Sequence, residues 1–252
     1  MTILDINGVT KEFDGLTALD DVNASIDEGE LVALIGPNGA GKSTFVNVIT
    51  GMLKPTRGEI IYSGTNIAGK EPFEIAQLGI GRSFQTASIF PELSVRDNIE
   101  IASFAAEHGS FRINFLKRRE SFTDVTERTD SILESLELSE QSELTAKDLP
   151  YGEKRRLEVA IGLASDPDFL FMDEPTAGMS PAQTEMTTEL IQGLLDEWGI
   201  TILLIEHDMD VIFEVADRIL VLHQGQLIAR GTPDEIRNDP TVRKSYLGGE
   251  EI

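Results

Sequence analysis

One stretch near the start of the chain has the residue types and spacing of a phosphate-binding loop. An apolar run at 31–35 predicts a buried strand that enters the loop, and a helix is expected from Lys42 to about Thr50. Glycines let the backbone curl so that its N–H groups point at phosphate oxygens, and the helix N-terminus adds a favourable dipole. A chance match in a glycine-rich loop is disfavoured by the flanking strand and helix. The loop comprises Gly36, Pro37, Asn38, Gly39, Ala40, Gly41, Lys42, Ser43 and Thr44.

The polar side chains of this loop each have an expected contact with a nucleoside triphosphate. Lys42 is predicted to pair with the β- and γ-phosphates. The hydroxyl of Ser43 is predicted to bind Mg²⁺, and Thr44 is expected near the α-phosphate. The loop by itself indicates only that a nucleotide phosphate binds.

Two adjacent acids follow a second apolar segment. Residues 169–172 are all apolar, which is typical of a strand covered on both faces of a sheet. Asp173 is predicted to hold the magnesium shell, and Glu174 to orient and deprotonate an attacking water. A plain turn at the end of the strand is the alternative, and the presence of the phosphate loop disfavours it.

Composition limits the class of protein. The chain has 252 residues, 40% of them hydrophobic, and no cysteine, so disulfides are excluded and a reducing compartment is compatible. The first residues lack the basic start and apolar stretch of a signal peptide, and no apolar run approaches the roughly 20 residues that span a bilayer. We therefore expect any membrane role to depend on a partner.

The net charge of −23 is extreme. It argues against binding nucleic acid or an anionic lipid surface, because both select basic patches. Adaptation to high salt is the favoured interpretation, since screening relieves self-repulsion, and a simply acidic soluble protein is the alternative. Basic residues cluster at 111–119, where either a partner contact or packing of an amphipathic helix fits.

Strands that alternate with helices predict an α/β core with a mainly parallel sheet. We predict strands within 1–30, an irregular segment at 109–123 and a hairpin of 218–222 with 225–230. A single domain, 1–252, is expected, with a core and β subdomain at 1–84 and 166–252 and an inserted helical subdomain at 85–165. Helices are predicted at 95–105, 124–137, 153–164, 181–198, 233–237 and 241–247.

Five sites in one order resemble the ATP-binding cassette of ABC transporters. They are the phosphate loop, Gln85, the segment 149–153, the strand and acids at 169–175, and the segment 205–208. The resemblance implies a P-loop NTPase core with an antiparallel β subdomain and an inserted helical subdomain. It also implies ATP and Mg²⁺ as ligands and ATP hydrolysis as the activity.

The resemblance extends to residues that carry no signal alone. His207 corresponds to a histidine that contacts the γ-phosphate and steadies the water, although a histidine at a strand end is more often structural. Gln85 corresponds to a glutamine that joins the subdomains and reaches the magnesium and water. Phe13 corresponds to an aromatic that stacks on adenine, with an ordinary core phenylalanine as the alternative. The segment 177–181 corresponds to a loop that crosses a dimer interface, and a helix-cap turn also fits.

The signature segment, residues 149–153, departs from the family pattern. In the family it closes over the γ-phosphate held by the opposite subunit. Pro150 stands where a serine usually offers a hydroxyl, and proline has no N–H to replace it. The expected nucleotide contacts of this segment are Pro150, Tyr151, Gly152 and Glu153, with Glu153 in place of the usual glutamine.

A finer match is to ATP-binding subunits of branched-chain amino acid importers. It rests on the segments 81–85, 151–158 and 231–240 with 246–248. The resemblance implies two transmembrane permease subunits, a second and different ATPase subunit, and indirectly an extracytoplasmic substrate-binding protein. The expected location is peripheral, at the cytoplasmic face of the membrane. Urea or amide importers of the same group share these features, and lipopolysaccharide-export ATPases share some.

Two alternatives from other classes remain at this point. A non-transport ABC ATPase acting in DNA repair or on ribosomes is disfavoured, because the chain lacks a long coiled-coil insertion and a second cassette and is strongly acidic. A regulatory module that binds ATP without turnover is disfavoured by the presence of Lys42, Asp173, Glu174 and His207, while Pro150 leaves it open for one of two composite sites.

Overall fold

The computed structural model of the chain describes residues 1–83, 89–108 and 120–245. The chain packs into two compact units, Met1–Ile80 with Phe169–Ile252 and the intervening Gly81–Asp168. Among the described residues, no helix is long and apolar enough to cross a bilayer. The predicted fold class is confirmed: a mainly parallel sheet, an antiparallel sheet and surrounding helices.

The first unit is built on two sheets. An antiparallel sheet has the order β2-β1-β4-β5, and a larger one has the order β10-β9-β3-β8-β7-β6. In the larger sheet β3 pairs in parallel with β8 and β9, β7 pairs in parallel with β8, and the β9–β10 hairpin is antiparallel. The strands are β1 (Thr2–Phe13), β2 (Leu16–Asp27), β3 (Leu31–Ile35), β4 (Arg57–Tyr62), β5 (Thr65–Asn66), β6 (Ile80–Ser83), β7 (Phe169–Asp173), β8 (Thr201–Ile205), β9 (Arg218–His223) and β10 (Gln226–Gly231).

Burial explains why β3 and β8 read as continuous apolar runs. Every residue of both strands is buried, as expected for central strands covered on both faces. Alternate side chains of the parallel strands share one core with the antiparallel sheet. Phe169 packs edge-on against Tyr62 of β4, with ring centroids 6.3 Å apart, so aromatic contacts join the two sheets.

Helices of the first unit begin at recognisable caps. Ser180 and Gln183 form a capping box ahead of a long helix, which ends where Gly199 takes φ 63°. Asp208 caps a short helix by accepting a hydrogen bond from the N–H of Asp210, and Thr232 caps another with Glu235. The helices are α1 (Lys42–Ile49), α2 (Pro72–Ala76), α6 (Pro181–Trp198), α7 (Met209–Val215), α8 (Pro233–Asn238) and α9 (Pro240–Ser245).

The second unit is helical. Its helices are α3 (Val95–His108), α4 (Glu120–Ser135) and α5 (Tyr151–Leu163), with 3₁₀ turns at Ser139–Gln141 and Ala146–Asp148. The predicted apolar face of α4 is buried at Val125, Ile132 and Leu133. Residues 91–96 lie alongside 142–147 through backbone hydrogen bonds, including Lys147 N to Pro91 O and Ala146 N to Leu93 O.

The prediction for α4 was wrong at both ends. It begins at Glu120 rather than Asp124, because residues 120–123 contain no helix breaker and an acid in the first turn is favourable. It ends at Ser135 because Glu137 takes φ 54°, a conformation that no helix can continue through. The predictions also omitted α2 and α7, whose few turns are too short for a clear apolar period.

Candidate functional site

The phosphate loop leaves β3 and enters α1, in the order that the sequence predicted. Two of its glycines are required by close backbone approach. A Cβ on Gly36 would lie 2.0 Å from the carbonyl oxygen of Leu222, and one on Gly41 would lie 2.7 Å from that of Ala18. Gly41 also takes φ 108° at the start of α1, where a side chain is strained. The β9 and β2 backbones therefore fix the curl of the loop.

Lys42 is directed back into its own loop. Its Nζ donates to the carbonyl oxygen of Gly36 at 2.6 Å and lies 3.3 Å from that of Pro37. Burial lowers the pKa of Lys42 below its ordinary value, and the nearby carboxylates of Glu174 and Asp173 act in the opposite direction. The ammonium is thus a poorly hydrated cation held beside two acids, an arrangement suited to attract a polyphosphate.

The two acids end β7, and a neighbouring strand fixes their backbone. Asp173 lies opposite Ile205 in the parallel pairing, and the N–H of Glu174 donates to the carbonyl oxygen of Ile205 at 2.8 Å. Glu174 takes φ 48°, which is uncommon for a residue with a side chain. This turn follows the end of the strand at Asp173.

His207 lies next to Glu174 in space. Its Nε2 is 2.9 Å from Oε1 of Glu174, and both side chains are partly exposed, at 44% and 39%. The structure therefore brings together four of the predicted residues, Lys42, Asp173, Glu174 and His207, around the carboxyl ends of β3, β7 and β8. The carboxyl ends of parallel strands are where ligands bind in α/β folds.

The sequence predictions assigned no role to Glu206 or Thr176, although Glu206 lies within the segment 205–208. The Glu206 side chain is only 2% exposed, although it lies between the buried β8 and the exposed His207. It accepts hydrogen bonds from the N–H of Thr176 at 2.8 Å and from the N–H of His207 at 2.8 Å. A charged residue directly after the apolar run 202–205 of a buried strand was the available signal.

Phe13 ends β1 and is 39% exposed, so its interpretation as an ordinary core phenylalanine is wrong. The Nζ of Lys11 lies 4.8 Å from the centroid of its ring and also donates to the carbonyl oxygen of Lys54. An exposed aromatic ring at the end of a strand is able to stack on a planar base.

The signature segment lies at the start of α5 in the second unit. Leu149 is buried at 3%, and Tyr151 is 51% exposed. Pro150 is the N-cap of α5 and provides no side-chain hydrogen bond to the first turn, while its carbonyl accepts from Lys154 N. Gly152 and Glu153 lie in that first turn, where helix N–H groups lack intrahelical partners.

The segment 177–181 leads from the acids into α6. Ala177 and Gly178 are exposed, and Ser180 forms the cap of the helix. The helix-cap interpretation is confirmed, and a role at an interface stays a prediction. Gln85, the basic cluster at 111–119 and the segment 246–248 lie outside the described residues.

Comparison with known proteins identifies the family. The family described as "ABC transporter" matches residues 19–177, and that described as "Branched-chain amino acid ATP-binding cassette transporter" matches residues 226–252. The high-affinity branched-chain amino acid transport ATP-binding protein LivG of Escherichia coli is 39% identical over 249 residues, 98% of each chain. The corresponding BraF protein of Pseudomonas aeruginosa is also 39% identical over 98% of each chain.

A more distant relative and two solved structures are also ATP-binding proteins of ABC transporters. A probable branched-chain amino acid transport ATP-binding protein LivG of Archaeoglobus fulgidus is 35% identical, over 100% of this chain and 97% of its own. A crystal structure of a nucleotide-free ATP-binding cassette from an ABC transporter has a TM-score of 0.80 and 34% identity, covering 98% of this chain and 100% of that one. Another cassette, in its ADP conformation, has a TM-score of 0.81 at 32% identity over 98% of this chain and 99% of that one. The chain therefore belongs to the ABC transporter family, as one of its ATP-binding and ATP-hydrolysing cassettes.

Proposed function

We propose that this chain drives an importer of branched-chain amino acids. The supporting observation is its near full-length similarity to LivG and BraF, whose names assign them to branched-chain amino acid transport. The match of residues 226–252 to the corresponding family points to the same group. The substrate itself does not touch an ATP-binding subunit, so a transport measurement tests the assignment.

The phosphate loop and the carboxyl ends of β7 and β8 form the ATP site in this proposal. Backbone N–H groups of residues 36–44 bind the phosphates, and Lys42 shifts from its loop carbonyls to the β- and γ-phosphates. Phe13 stacks on the adenine. Asn38 and Gly39 are exposed at the tip of the loop, where the β-phosphate is expected.

Magnesium fits the donor set that the chain offers. The Ser43 hydroxyl and the Asp173 carboxylate are hard oxygen ligands, which suit Mg²⁺. Among the described residues there is no cluster of three or more Asp, Glu, His or Cys that could hold a metal by protein ligands alone. Mg²⁺ characteristically uses one or two protein oxygens together with substrate phosphates and water. Gln85 is a further proposed ligand. When bound, the ion neutralises charge that develops on the phosphates.

Glu174 and His207 are the proposed catalytic residues. The carboxylate of Glu174 accepts a proton from the attacking water, and its 2.9 Å contact with His207 Nε2 orients it. His207 then lies where it can donate to the γ-phosphate, with Gln85 as a further contact. Lys42 stabilises the charge on the transferred group from the opposite side.

The proposed assembly has two transmembrane permeases and a second, different ATPase subunit at the cytoplasmic face of the membrane. An extracytoplasmic binding protein delivers the substrate. The signature segment, Pro150 to Glu153 with Leu149, is proposed to contact the nucleotide of the second ATPase. The helical subdomain proposed for 85–165 transmits closure to the permeases. The charge of −23 supports operation at high ionic strength.

The test is purification of the assembly from native membranes in high salt, followed by reconstitution into vesicles. We expect two multi-spanning permeases and a second short cassette to co-purify. ATP supplied on the side of the membrane that carries the ATP-binding subunits is expected to drive transport of labelled leucine when the binding protein is present on the other side. Uptake of urea or amides instead of leucine would reassign the substrate. Recovery with ribosomes or nucleic acid and no permease would contradict transport altogether.

A further inference from the structure

Glu206 is a buried acid that the proposed mechanism does not use. Its side chain is 2% exposed, and it comes between β8 and the proposed catalytic His207. Within the described residues no lysine, arginine or histidine forms an ion pair with it. A buried carboxylate is costly unless hydrogen-bond donors replace water, so its donors explain why it is tolerated there.

Both oxygens of the carboxylate are used. Oε1 accepts from the N–H of Thr176 at 2.8 Å and from the Thr176 hydroxyl at 2.5 Å. Oε2 accepts from the N–H of His207 at 2.8 Å. One side chain thus joins the turn that follows Glu174 to the backbone of His207.

These hydrogen bonds involve residues that are next to, or two positions from, the proposed catalytic residues Glu174 and His207. Glu174 is two positions before Thr176, and its own N–H is bonded to Ile205, the residue before Glu206. The carbonyl of Glu174 accepts from Ala177 N at 3.2 Å, so the turn at 174–177 is closed on itself. Movement of the Thr176 turn relative to β8 would therefore change the 2.9 Å contact between Glu174 and His207.

We propose that Glu206 is a positioning residue for ATP hydrolysis, which holds Glu174 and His207 at hydrogen-bonding distance by joining the Thr176 turn to the His207 backbone. The inference rests on the catalytic roles proposed above for Glu174 and His207. Glu206 acts through the backbone of these segments, and within the described residues no hydrogen bond joins its side chain to the phosphate loop or to Phe13.

Glu206→Gln tests the two backbone hydrogen bonds of Glu206 with little change in the shape of the side chain. A glutamine has nearly the same shape but carries one oxygen and one NH₂ group in place of two acceptors. If its oxygen faces Thr176, its NH₂ faces the N–H of His207, and two donors oppose each other. If the amide group is rotated by 180°, its NH₂ group faces the N–H of Thr176 instead, and again two donors oppose each other. In either orientation one of the two backbone bonds is lost.

Thr176 provides a second and milder test. Thr176→Val keeps the shape and the backbone N–H but removes the hydroxyl, whereas Thr176→Ser keeps the hydroxyl. Thr129 in the second unit offers a matched control, because it is 0% exposed and its hydroxyl has no hydrogen-bond partner within the described residues. Thr129→Val therefore removes a buried hydroxyl without removing a bond.

The experiment measures kcat for Mg-ATP hydrolysis by the purified full chain, together with the Kd for ADP by calorimetry. We expect Glu206→Gln to lower kcat at least tenfold and Thr176→Val to lower it severalfold, with the ADP Kd within twofold of wild type in both. Thr176→Ser and Thr129→Val are expected to retain wild-type kcat. If Glu206→Gln does not fold, the Thr176 pair alone decides the matter.

Two outcomes would overturn the inference. One is a wild-type kcat for Glu206→Gln, or for Thr176→Val where Glu206→Gln does not fold. The other is a parallel loss of kcat and ADP affinity, which would mean that the carboxylate supports only the general fold. Glu174→Gln is measured in the same assay. It distinguishes failure of the positioning role of Glu206 from failure of the proposed catalytic mechanism. An inactive Glu174→Gln with a fully active Glu206→Gln would refute only the positioning role, whereas an active Glu174→Gln would refute the catalytic role of Glu174.

Discussion

The carboxyl ends of β7 and β8 differ sharply from the start of α5. At the strand ends, Glu174 contacts His207 at 2.9 Å, and the buried Glu206 uses both of its oxygens. At the start of α5, Pro150 caps the helix without a side-chain hydrogen bond, and Tyr151 is half exposed. The first region is organised by contacts within its own unit, whereas in the second the N-cap residue gives no side-chain hydrogen bond to the N–H groups of the first turn.

This difference indicates which functions reside in the chain itself. Groups that are already oriented lose little entropy when a ligand binds, so the strand ends are suited to chemistry on a nucleotide held by the same chain. Unpaired N–H groups at a helix start are suited to an anion that arrives from elsewhere. Substitutions in the first region should therefore affect turnover strongly, and those in the second should affect association.

The largest effect is expected for Glu174→Gln. Removal of a general base typically costs about 10²–10⁴-fold in rate, and we expect kcat to fall within that range. ATP binding should persist, because the amide keeps the shape of the side chain and removes a negative charge near the phosphates. Steady-state hydrolysis and calorimetric ATP titration measure the two quantities. Near wild-type kcat would contradict the assignment of chemistry to the strand ends.

The next effect is expected for Lys42→Met. Loss of one group that stabilises transition-state charge costs about 10²–10³-fold, and here affinity for ATP should fall together with kcat. This combined loss separates Lys42 from Glu174, whose removal should spare binding. The same two assays serve, with Lys54→Met as a control, since Lys54 forms an exposed ion pair with Glu71. Unchanged ATP affinity in Lys42→Met would place the phosphates elsewhere.

Phe13→Ala should act on binding alone. Stacking of a base on an aromatic ring is worth about 1–3 kcal/mol, so KM for ATP is expected to rise about tenfold with kcat unchanged. Phe73, another exposed phenylalanine of the first unit, is the matched control. A kcat loss in Phe13→Ala without a change in KM would show that the ring does not hold the base.

A smaller effect of opposite sign is expected for Pro150→Ser. Serine adds an N–H and a hydroxyl at the helix start, and a serine N-cap stabilises a helix by about 0.5–2 kcal/mol relative to alanine. We expect ATP-dependent association with the second cassette to tighten a fewfold. Comparison with Pro150→Ala by thermal melting and analytical ultracentrifugation isolates the hydroxyl. Equal association of the serine and alanine variants would mean that the hydroxyl makes no contact with a nucleotide.

The smallest effect concerns the pH dependence of stability. Because burial lowers the pKa of Lys42 in the folded chain, the unfolded chain binds more protons between that value and the ordinary 10.5. The contribution of Lys42 to stability should therefore rise with pH in this window. Melting temperatures of wild type and Lys42→Met, compared from neutral pH towards 10 without nucleotide, measure it. A difference that is constant with pH would contradict the lowered pKa.

Local patterns were sufficient for much of the fold. The five-residue apolar run at 31–35 predicted β3, because strands buried on both faces need apolar residues throughout. The helix predicted at 181–198 matches α6, because its start at Ser180 and Pro181 is marked by a cap and a first turn, which are local features. The start of α4 was not predictable in this way, because Ser121, Thr123 and Asp124 are all residue types that favour a helix N-cap, so none of them marks the start.

By itself, the sequence determined the phosphate loop, the two acids after β7 and membership of the cassette family, because each depends on residues that are neighbours in the chain. Only the tertiary structure decided which side chains meet. Glu174 and His207 are 33 positions apart, and Thr176 and Glu206 are 30 apart. Their contacts exist because β7 and β8 pair in parallel and end at the same edge of the sheet. A register of this kind is set by the packing of the whole core, which no short segment encodes.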